Sequence, residues 1–358
     1  MVADSNAGSK TLGVAIVGCG RVSGGHARGW KQSERPVEIR ALVDVAPHLA
    51  EKLKAAEHLD AARVLTEYRE ILSADDIDIV DICTYSDLHT EQIIACLEAN
   101  KHVMTEKPVG YSLEDCRKLR WYRRKYPDPK VGVAYSLRYY PTNRAARKLL
   151  QDGAIGEVLY ANVVHNHGGD LTRVRERRIG EHVHTDLGGR YIAGSEMTHI
   201  THPFDLARYL FGEVVDVFCY KQKYGTFATL RHEGDVLSQV IGASASKEGQ
   251  SAPYVLCVQG SKGTLFTYND FSKQAGEPGA YRGHVIADGK REEFTPSAAD
   301  STHGDVGRSR NFVDAILNDE PLICDMVDAI RTTELLHALR DSHDHEIRVP
   351  VHHADQTG

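Results

Sequence analysis

The stretch at residues 13–30, GVAIVGCGRVSGGHARGW, decides the fold of the N-terminal part of the chain. It opens with an apolar run that predicts a buried strand, and the residues after Ser23 predict a helix. Between them, Gly18, Gly20 and Ser23 fit the pattern G-x-G-x-x-small. In such a strand, turn and helix, the glycines allow a tight turn and close backbone approach, so a pyrophosphate can lie against the helix N-terminus. The residues expected to contact a dinucleotide at this turn are Gly18, Gly20, Arg21 and Val22.

A carboxylate follows at the position that such a site needs. Asp44 lies near the end of the next strand-like run, EIRALVDV at residues 38–45. There a carboxylate would accept hydrogen bonds from the ribose hydroxyls. Its charge would repel a 2′-phosphate, so the sequence predicts NAD as the cofactor rather than NADP.

Strand-like and helix-like runs alternate through the first third of the chain. They are GVAIVG, GGHARGWKQS, EIRALVDV, PHLAEKLKAAEHL, IDIVDICT, HTEQIIACLEAN, HVMTEK and SLEDCRKLRWYRRKY. This alternation requires crossover connections and therefore predicts a doubly wound parallel sheet, the Rossmann arrangement of an α/β protein. We expect a polar, disordered leader at residues 1–10 and a dinucleotide-binding domain at residues 11–130.

The pattern changes after YPDPK at residues 126–130. KVGVAYSLRY is expected to form a strand, PTNRAARKLLQDGAIG a helix and EVLYANVVHNH a strand. The strand-like runs after Gly212 have no helical run between them and are VVDVFCYKQ, TFATLRH, VLSQVIGASAS, YVLCVQG and GTLFTYN. They predict a second α/β domain at residues 131–350 with a large open, mostly antiparallel sheet. Helices at about residues 305–342 are expected to pack across both domains.

Composition narrows the class of protein. The 358 residues are 41% hydrophobic and 26% charged, with no run of eighteen apolar residues, so no membrane span is expected. The formal net charge of −7 disfavours nucleic acid as a partner, because binding to its backbone requires a basic surface. The leader lacks the apolar core of a signal peptide, so the expected location is the cytoplasm.

Lys107 is the first candidate for chemistry. It closes the apolar run in KHVMTEKPVG, residues 101–110, and precedes Pro108, which favours an extended backbone at Lys107. Open α/β sheets bind ligands at the carboxyl ends of their strands, and Lys107 follows such an end. A lysine there can hydrogen-bond a substrate hydroxyl and exchange a proton with it.

Several motifs together resemble the glucose-fructose oxidoreductase and inositol dehydrogenase family (Gfo/Idh/MocA), from about residue 12 to about residue 348. In order, the motifs are GCGRVSGGHARGW, VDICTYSDLHTEQIIACLEANKHVMTEKPVG, YSLRYYP, GEVLYANVV and HPFDLARYLFGE. The E-K-P sequence is the most specific of them. The resemblance implies an N-terminal Rossmann domain, a C-terminal domain with a large open sheet, bound NAD or NADP, and a sugar or cyclitol substrate. It also implies a homo-oligomer, a dimer or tetramer built through the sheet faces.

The resemblance assigns roles near the cofactor. Gly18, Gly20 and Asp44 match its nucleotide turn and ribose contact, and Glu106 and Lys107 match its E-K-P pair. The segment TYSDLH resembles a T-P-x-x-x-H loop beside the nicotinamide, which implies cofactor contacts for Thr84 and His89.

Two departures accompany these matches. Tyr85 replaces the usual proline of the T-P-x-x-x-H loop, which puts the loop's shape in question. Arg138 in SLRYYP matches an arginine near the cofactor, while Tyr140 replaces the asparagine often found before that proline.

The stretch THITHPFD at residues 198–205 departs from the family at its catalytic motif, D-x-G-x-H-x-x-D. His202 and Asp205 match its last two polar residues. Thr198 stands where the catalytic aspartate would be, and His199 is an additional group. The catalytic residues implied are therefore Lys107 and His202, with His199 beside them.

Three interpretations of this stretch remain open. In the first, Lys107 takes the carbinol proton and His202 orients the hydroxyl, with His199 or Thr198 supporting the relay. In the second, the histidines of this stretch bind a metal together with one of two H-x-H pairs, His165 and His167 or His182 and His184. We favour a site without metal. In the third, His202 caps a helix whose first position is Pro203, and His199 only packs.

The sequence therefore predicts an NAD-dependent oxidoreductase that acts on a secondary hydroxyl of a sugar, glycoside or cyclitol. One alternative is an NAD-tethered enzyme that cleaves glycosides with no net redox change, and another is a non-catalytic dinucleotide-binding regulator. The basic run RVRERR at residues 173–178, expected in a loop, would favour an acidic sugar if it covered the pocket. The residues expected to line the substrate pocket are Tyr135, Arg138, His165, His167, Thr198 and His202.

Overall fold

The computed structural model describes residues 10–168, 175–179, 182–186, 201–222, 225–246, 254–270, 280–294 and 304–353. The chain forms two compact units. The first comprises Met1–Glu106, Leu119–Ala134 and Asp305–Asp325, and the second comprises Lys107–Lys118, Tyr135–Gly304 and Met326–Gly358. The domain bounds expected from the sequence, residues 11–130 and 131–350, stay a prediction. No helix among the described residues has both the length and the apolar character needed to cross a membrane.

The first unit contains the predicted doubly wound parallel sheet. Its strands are β1 (Leu12–Val17), β2 (Val37–Val43), β3 (Arg63–Leu65), β4 (Ile79–Ile82), β5 (His102–Thr105) and β6 (Val131–Val133). The strands lie in the order β3-β2-β1-β4-β5-β6 and pair in parallel. Val17 is in register with both Val43 and Ile82, and Ile82 with Thr105, so these four strands end at one edge of the sheet.

Helices connect and cover these strands. They are α1 (Ser23–Lys31), α2 (Pro47–Ala56), α3 (Arg69–Leu72), α4 (Ser86–Glu98), α5 (Leu113–Lys125) and, from the C-terminal part of the sequence, α8 (Gly304–Asn318). Phe312 of α8 is fully buried and packs edge to face on Trp30 of α1, with ring centroids 6.1 Å apart. A Cβ added at Gly29 would lie 2.8 Å from the Asp305 carbonyl oxygen, so glycine at this position allows the close approach of α1 and α8.

The second unit is built on a nine-stranded sheet. Its strands are β7 (Val158–Gly168), β10 (Val214–Gln222), β11 (Gly225–His232), β12 (Leu237–Ser246), β13 (Tyr254–Gly260), β14 (Gly263–Asn269), β15 (Tyr281–Ala287), β16 (Lys290–Phe294) and β17 (Val349–Pro350). Their order is β16-β15-β14-β13-β7-β12-β11-β10-β17. All neighbours pair antiparallel except β7 and β12, which are parallel, so the prediction of a mostly antiparallel sheet is confirmed.

One face of this sheet packs against helices of the same unit. These are α6 (Pro141–Gln151), α7 (Thr201–Phe211) and α9 (Met326–His345). Side chains alternate between the two faces along each strand, and the inward-facing residues form the core with the helices. Among its described residues, this unit also contains the 3₁₀ turns Ser136–Tyr139 and Glu233–Asp235 and a separate hairpin of β8 (Arg175–Ile179) and β9 (His182–Asp186).

Two local predictions are wrong. KVGVAYSLRY is a strand only to Val133, and the chain then enters the 3₁₀ turn at Ser136–Tyr139, where the Tyr140 N–H is hydrogen-bonded to the Leu137 carbonyl. The basic run RVRERR was expected in a loop, but from Arg175 onward it belongs to β8, which pairs with β9. Both outcomes depend on contacts distant in sequence, which local pattern does not report.

The two C-terminal helices fall into different compact units. Residues of α8 from Asp305 onward belong to the first unit, where Phe312 and Val313 join the core beneath β1 and β2. Helix α9 belongs to the second unit, where Leu335, Leu336 and Leu339 join the core. The prediction that these helices pack across both domains stays a prediction.

The place of α8 in the first core can be tested with Phe312→Ala. The variant should lower the free energy of unfolding by about 3–5 kcal/mol, because a fully buried phenyl ring is removed and a cavity is left. Leu317→Ala in the same helix is the control, since Leu317 is 37% exposed. Denaturant unfolding of both variants checks the difference, and equal losses would show that α8 does not belong to this core.

Candidate active site

The glycine turn of the first unit has the shape that a dinucleotide requires. Gly18 has φ of 91°, a conformation that favours glycine, and an added Cβ would lie 2.8 Å from the backbone of Cys83 and Thr84. An added Cβ at Gly20 would meet nothing within 4 Å, so open space lies beside that backbone. Arg21 and Val22 are exposed directly before α1. The turn thus leaves room for a pyrophosphate at the N-terminus of α1.

Asp44 lies directly after β2 and is held in place by backbone groups. The Cys19 N–H donates to Asp44 Oδ2 at 2.7 Å, and the Ala46 N–H donates to Oδ1 at 2.9 Å. The carboxylate therefore ties the glycine turn to the second strand. Each carboxylate oxygen can accept more than one hydrogen bond, so capacity remains for ribose hydroxyls. These residues fit an adenine dinucleotide.

The loop after β4 is braced by its own residues. Thr84 Oγ1 donates to Gln92 Oε1 at 2.6 Å, and His89 Nε2 lies 3.1 Å from the Thr84 carbonyl oxygen. His89 is almost fully buried, and Tyr85 precedes the first residue of α4 with an extended backbone. These two contacts shape the loop, and contacts of Thr84 and His89 with the cofactor stay predictions.

Sequence reasoning missed a buried charged cluster that includes Glu106. His26 of α1 lies between two carboxylates: Nδ1 is 2.8 Å from Asp81 Oδ1, and Nε2 is 3.0 Å from Glu106 Oε1. Trp30 Nε1 donates to Asp81 Oδ2 at 2.6 Å. Because both ring nitrogens face a carboxylate, the arrangement suits an imidazolium that donates to both. A signal was present, since Asp81 is an acidic residue within the apolar run IDIVDICT.

The charges around His26 favour its protonated form. Burial and the nearby Arg308 guanidinium oppose protonation, but the negative charge and hydrogen bond of Asp81 outweigh them, so the pKa of His26 is raised well above its usual value. Within the described chain, His26, Asp81 and Cys83 are the one group whose donor atoms lie close enough together to hold a metal ion. Both nitrogens of His26 are already hydrogen-bonded, so we assign the cluster to ionic pairing.

In the second unit, aromatic and histidine rings gather at the start of α7. Tyr135 Oη lies 3.1 Å from Thr201 Oγ1, and the Tyr135 ring meets His202 edge to face at 6.0 Å. His202 in turn meets His165 of β7 at 6.4 Å between ring centroids, and His165 meets Tyr254 of β13 at 6.1 Å. Three predicted pocket residues, Tyr135, His165 and His202, are thus brought together. Tyr254 was not predicted.

Arg138 belongs to a buried ionic network of the second unit. Its Nε and Nη2 donate to the two oxygens of Asp205 at 2.7 and 2.6 Å, and Nη1 pairs with Asp328. Asp328 also accepts from Arg208, which is paired with Glu213. The Arg138 guanidinium is 2% exposed, so this buried network holds the 3₁₀ turn, α7 and α9 together. A contact of Arg138 with cofactor or substrate stays a prediction.

Part of THITHPFD lies outside the described residues. Thr198 and His199 are in that part. The side chains of His167, His182 and His184 also lie outside what the structure describes, so the predicted roles of all five residues stay predictions. Helix α7 already includes Thr201, so the prediction that Pro203 takes the first helical position is wrong. His202 lies within the first turn, and Lys107 directly follows Glu106 and begins a cis peptide bond to Pro108.

Family models match both parts of the chain. A model described as "Oxidoreductase family, NAD-binding Rossmann fold" matches residues 12–130, and a model of the GFO/IDH/MocA C-terminal domain matches residues 143–266. Together they cover more than half of the chain.

Curated relatives include named dehydrogenases. An inositol 2-dehydrogenase of Corynebacterium glutamicum (strain R) is 27% identical over 227 residues, which are 63% of this chain and 61% of that protein. A D-apiose dehydrogenase of Paraburkholderia graminis is 28% identical over 272 residues, 72% of this chain and 68% of that protein. The match thus spans less than two thirds of the inositol dehydrogenase.

Solved structures share the fold over nearly the whole chain. A levoglucosan dehydrogenase in complex with NADH and levoglucosan has a TM-score of 0.79 and 18% identity, covering 96% of this chain and 100% of that one. An oxidoreductase from Agrobacterium radiobacter in complex with NAD+, L-tartaric acid and magnesium has a TM-score of 0.78 and 18% identity, covering 96% and 99%. At this identity the likeness shows a common fold.

The charge on His26 should appear in the pH dependence of stability. His26→Gln is expected to lower the free energy of unfolding by about 3–5 kcal/mol at pH 6, because two buried carboxylates lose their cation. The pKa of His26 is raised in the folded state, so its contribution is complete below the unfolded value of about 6.5 and is lost as pH rises through the folded value. The difference in the free energy of unfolding between wild type and His26→Gln should therefore become smaller at alkaline pH.

Denaturant unfolding between pH 6 and 10 measures this gap. His102→Gln is the matched control, because burial lowers the pKa of His102 and its contribution does not decline above pH 6.5. A gap for His26→Gln that stays constant over the whole range would show that the imidazole is neutral.

Proposed function

The chain belongs to the Gfo/Idh/MocA family of oxidoreductases, with an NAD-binding Rossmann domain at its N-terminal side, and from this we propose that it is an NAD-dependent dehydrogenase. Its substrate class is a sugar, glycoside or cyclitol that reacts at a secondary hydroxyl. The observation that carries the proposal is the position of Glu106-Lys107-Pro108. This segment directly follows β5, whose end is in register with the strands that precede the glycine turn and Asp44.

Lys107 is the proposed general base, and His202 is its orienting partner. Lys107 takes the hydroxyl proton of the carbinol, and His202 fixes that hydroxyl by a hydrogen bond. When bound, NAD supplies the acceptor for the hydride. The Tyr135 and His165 rings pack around His202 and restrict its orientation. Relatives named inositol, apiose and levoglucosan dehydrogenases support a polyhydroxylated substrate.

The cofactor choice follows from Asp44. Its carboxylate is fixed by two backbone N–H groups beside the glycine turn. A 2′-phosphate near this charge would be repelled and would leave Asp44 without the 2′-hydroxyl of the ribose as a donor. We therefore infer that NAD is used in preference to NADP.

The open face of the nine-stranded sheet supports a homo-oligomer. Its exposed apolar residues are Tyr160, Phe218, Tyr220, Phe227, Leu237 and Ile286. Tyr220 is in register with Phe227, and Phe227 with Ile241, so part of this apolar surface is continuous across three strands. Exposed apolar surface of this kind is typical of interfaces, and we infer that a second copy covers it.

Lys107→Ala is expected to lower kcat by about 10²–10⁴-fold, because the acid–base group is removed, while most of the NAD affinity remains. The assay follows NADH absorbance with myo-inositol, D-glucose, levoglucosan, D-apiose and D-glucuronate. Calorimetry measures NAD binding. Lys118→Ala is the control, an exposed lysine in the next helix, and should keep full activity.

The same assay separates the alternatives. We expect wild-type activity to be unchanged by EDTA. Release of nitrophenol from an aryl glycoside without accumulation of NADH would identify redox-neutral cleavage instead. Binding of NAD with no turnover of any compound by the wild type would favour a regulator and contradict the proposal.

Tyr220→Glu is expected to shift the protein towards monomer, because a charge would have to be buried in the proposed interface. Sedimentation velocity at several protein concentrations measures the change. Ile347→Glu is the control, since Ile347 is 53% exposed and lies outside the sheet. A wild-type protein that is monomeric at all concentrations would contradict the assignment of this face.

A further inference from the structure

A row of polar side chains crosses the buried face of the nine-stranded sheet near one end. The strand registers and the ring contact between His165 and Tyr254 place five polar residues in this row, with Gly242 of β12 between Thr226 and His165. From β11 to β15 the five are Thr226, His165, Tyr254, Asn269 and Tyr281. We call them the polar row. Every member is buried.

The adjoining row on the same face is mostly apolar. From β11 to β14 it contains Ala228, Val240, Val163, Leu256 and Thr267. A sheet face that packs on helices needs apolar residues, and polar side chains there are unfavourable unless they are hydrogen-bonded. The polar row therefore calls for a reason other than core packing.

Three members of the row, Thr226, Tyr254 and Asn269, carry hydrogen-bonding groups that the described residues leave unused. The Tyr254 hydroxyl is fully buried and has no partner among the described residues. Asn269 Oδ1 accepts from Thr142 Oγ1 at 2.6 Å, while its Nδ2 has no partner in the same part of the chain. Burial raises the pKa of Tyr254, so the phenol keeps its proton and can donate. Tyr254 and Asn269 thus each offer a donor.

One member of the polar row, His165, lies beside the proposed catalytic histidine. His202 meets His165, and His165 meets Tyr254, through edge-to-face ring contacts. Asn269 is the register partner of Tyr254 on the next strand. Two strand spacings separate His165 from Asn269, about 10 Å, so the row extends away from His202 far enough to contact several hydroxyls of one ring.

We propose that Tyr254 and Asn269 determine substrate specificity by donating hydrogen bonds to hydroxyl groups of the sugar or cyclitol ring other than the one that reacts. This inference rests on the proposed function and adds to it the residues that select among polyols. A hydroxyl oxygen accepts from each donor, and a site built this way rejects an analogue that lacks the hydroxyl. Thr226 and Tyr281 extend the row at its two ends.

The test is Tyr254→Phe, which removes only the hydroxyl. With myo-inositol or D-glucose, whichever the wild type oxidises, KM should rise on the order of 10-fold while kcat changes little. The monodeoxy derivative lacking the bonded hydroxyl should be equally poor for wild type and variant. Asn269→Ser is the second variant and should respond to a different deoxy position. Circular dichroism melting confirms that each variant folds.

Thr267→Val is the matched control. The Thr267 hydroxyl is also buried without a partner among the described residues, but it lies in the adjoining row. The proposal is wrong if Tyr254→Phe and Asn269→Ser have the same KM and kcat as Thr267→Val and discriminate the deoxy derivatives as the wild type does. That result would show that the row only holds buried water. A wild type that neither oxidises nor binds any polyol would instead overturn the proposed function, and this inference with it.

Discussion

The common ending of four parallel strands is the constraint on which the nucleotide site depends. Because Val17 pairs with Val43 and with Ile82, and Ile82 pairs with Thr105, the loops that follow β1, β2, β4 and β5 emerge at one edge of the sheet. Gly18, Asp44, Thr84 and Glu106 are brought to that edge by backbone pairing alone. Their side chains then need only local hydrogen bonds, such as that from Cys19 to Asp44, to take their final orientation.

Sequence alone predicts those parts of the structure that depend on local pattern. The run GVAIVG and its glycines predict β1 and the turn, and alternation in YVLCVQG and GTLFTYN predicts β13 and β14. Asp81 is an example of a residue whose partner the sequence does not predict. Its position within an apolar strand marks it as unusual, but only the fold shows that its partner is His26, 55 residues earlier in the chain.

Among the candidate catalytic residues, too, the sequence identifies some features and only the fold shows the others. Lys107 is identified by its motif, while the surroundings of His202 arise from Tyr135 and His165, which belong to separate elements. The polar row is likewise invisible in sequence, because its members come from five different strands and have no common spacing. Arg138 was matched by motif to the cofactor, yet its buried pairing with Asp205 connects two elements of the second unit.

Helix α1 shows how close packing conflicts with helix propensity. It contains Gly24, Gly25 and Gly29, each of which costs about 1 kcal/mol relative to alanine in a helix interior. At Gly25 and Gly29 an added Cβ would lie within 3.0 Å of Asp305 atoms. Replacement of Gly29 by alanine would therefore separate α1 from α8 and disturb His26, because the added Cβ meets backbone. At Gly25 the added Cβ meets only the end of the Asp305 side chain, which can move. Stabilising changes in this domain belong on the exposed faces of other helices.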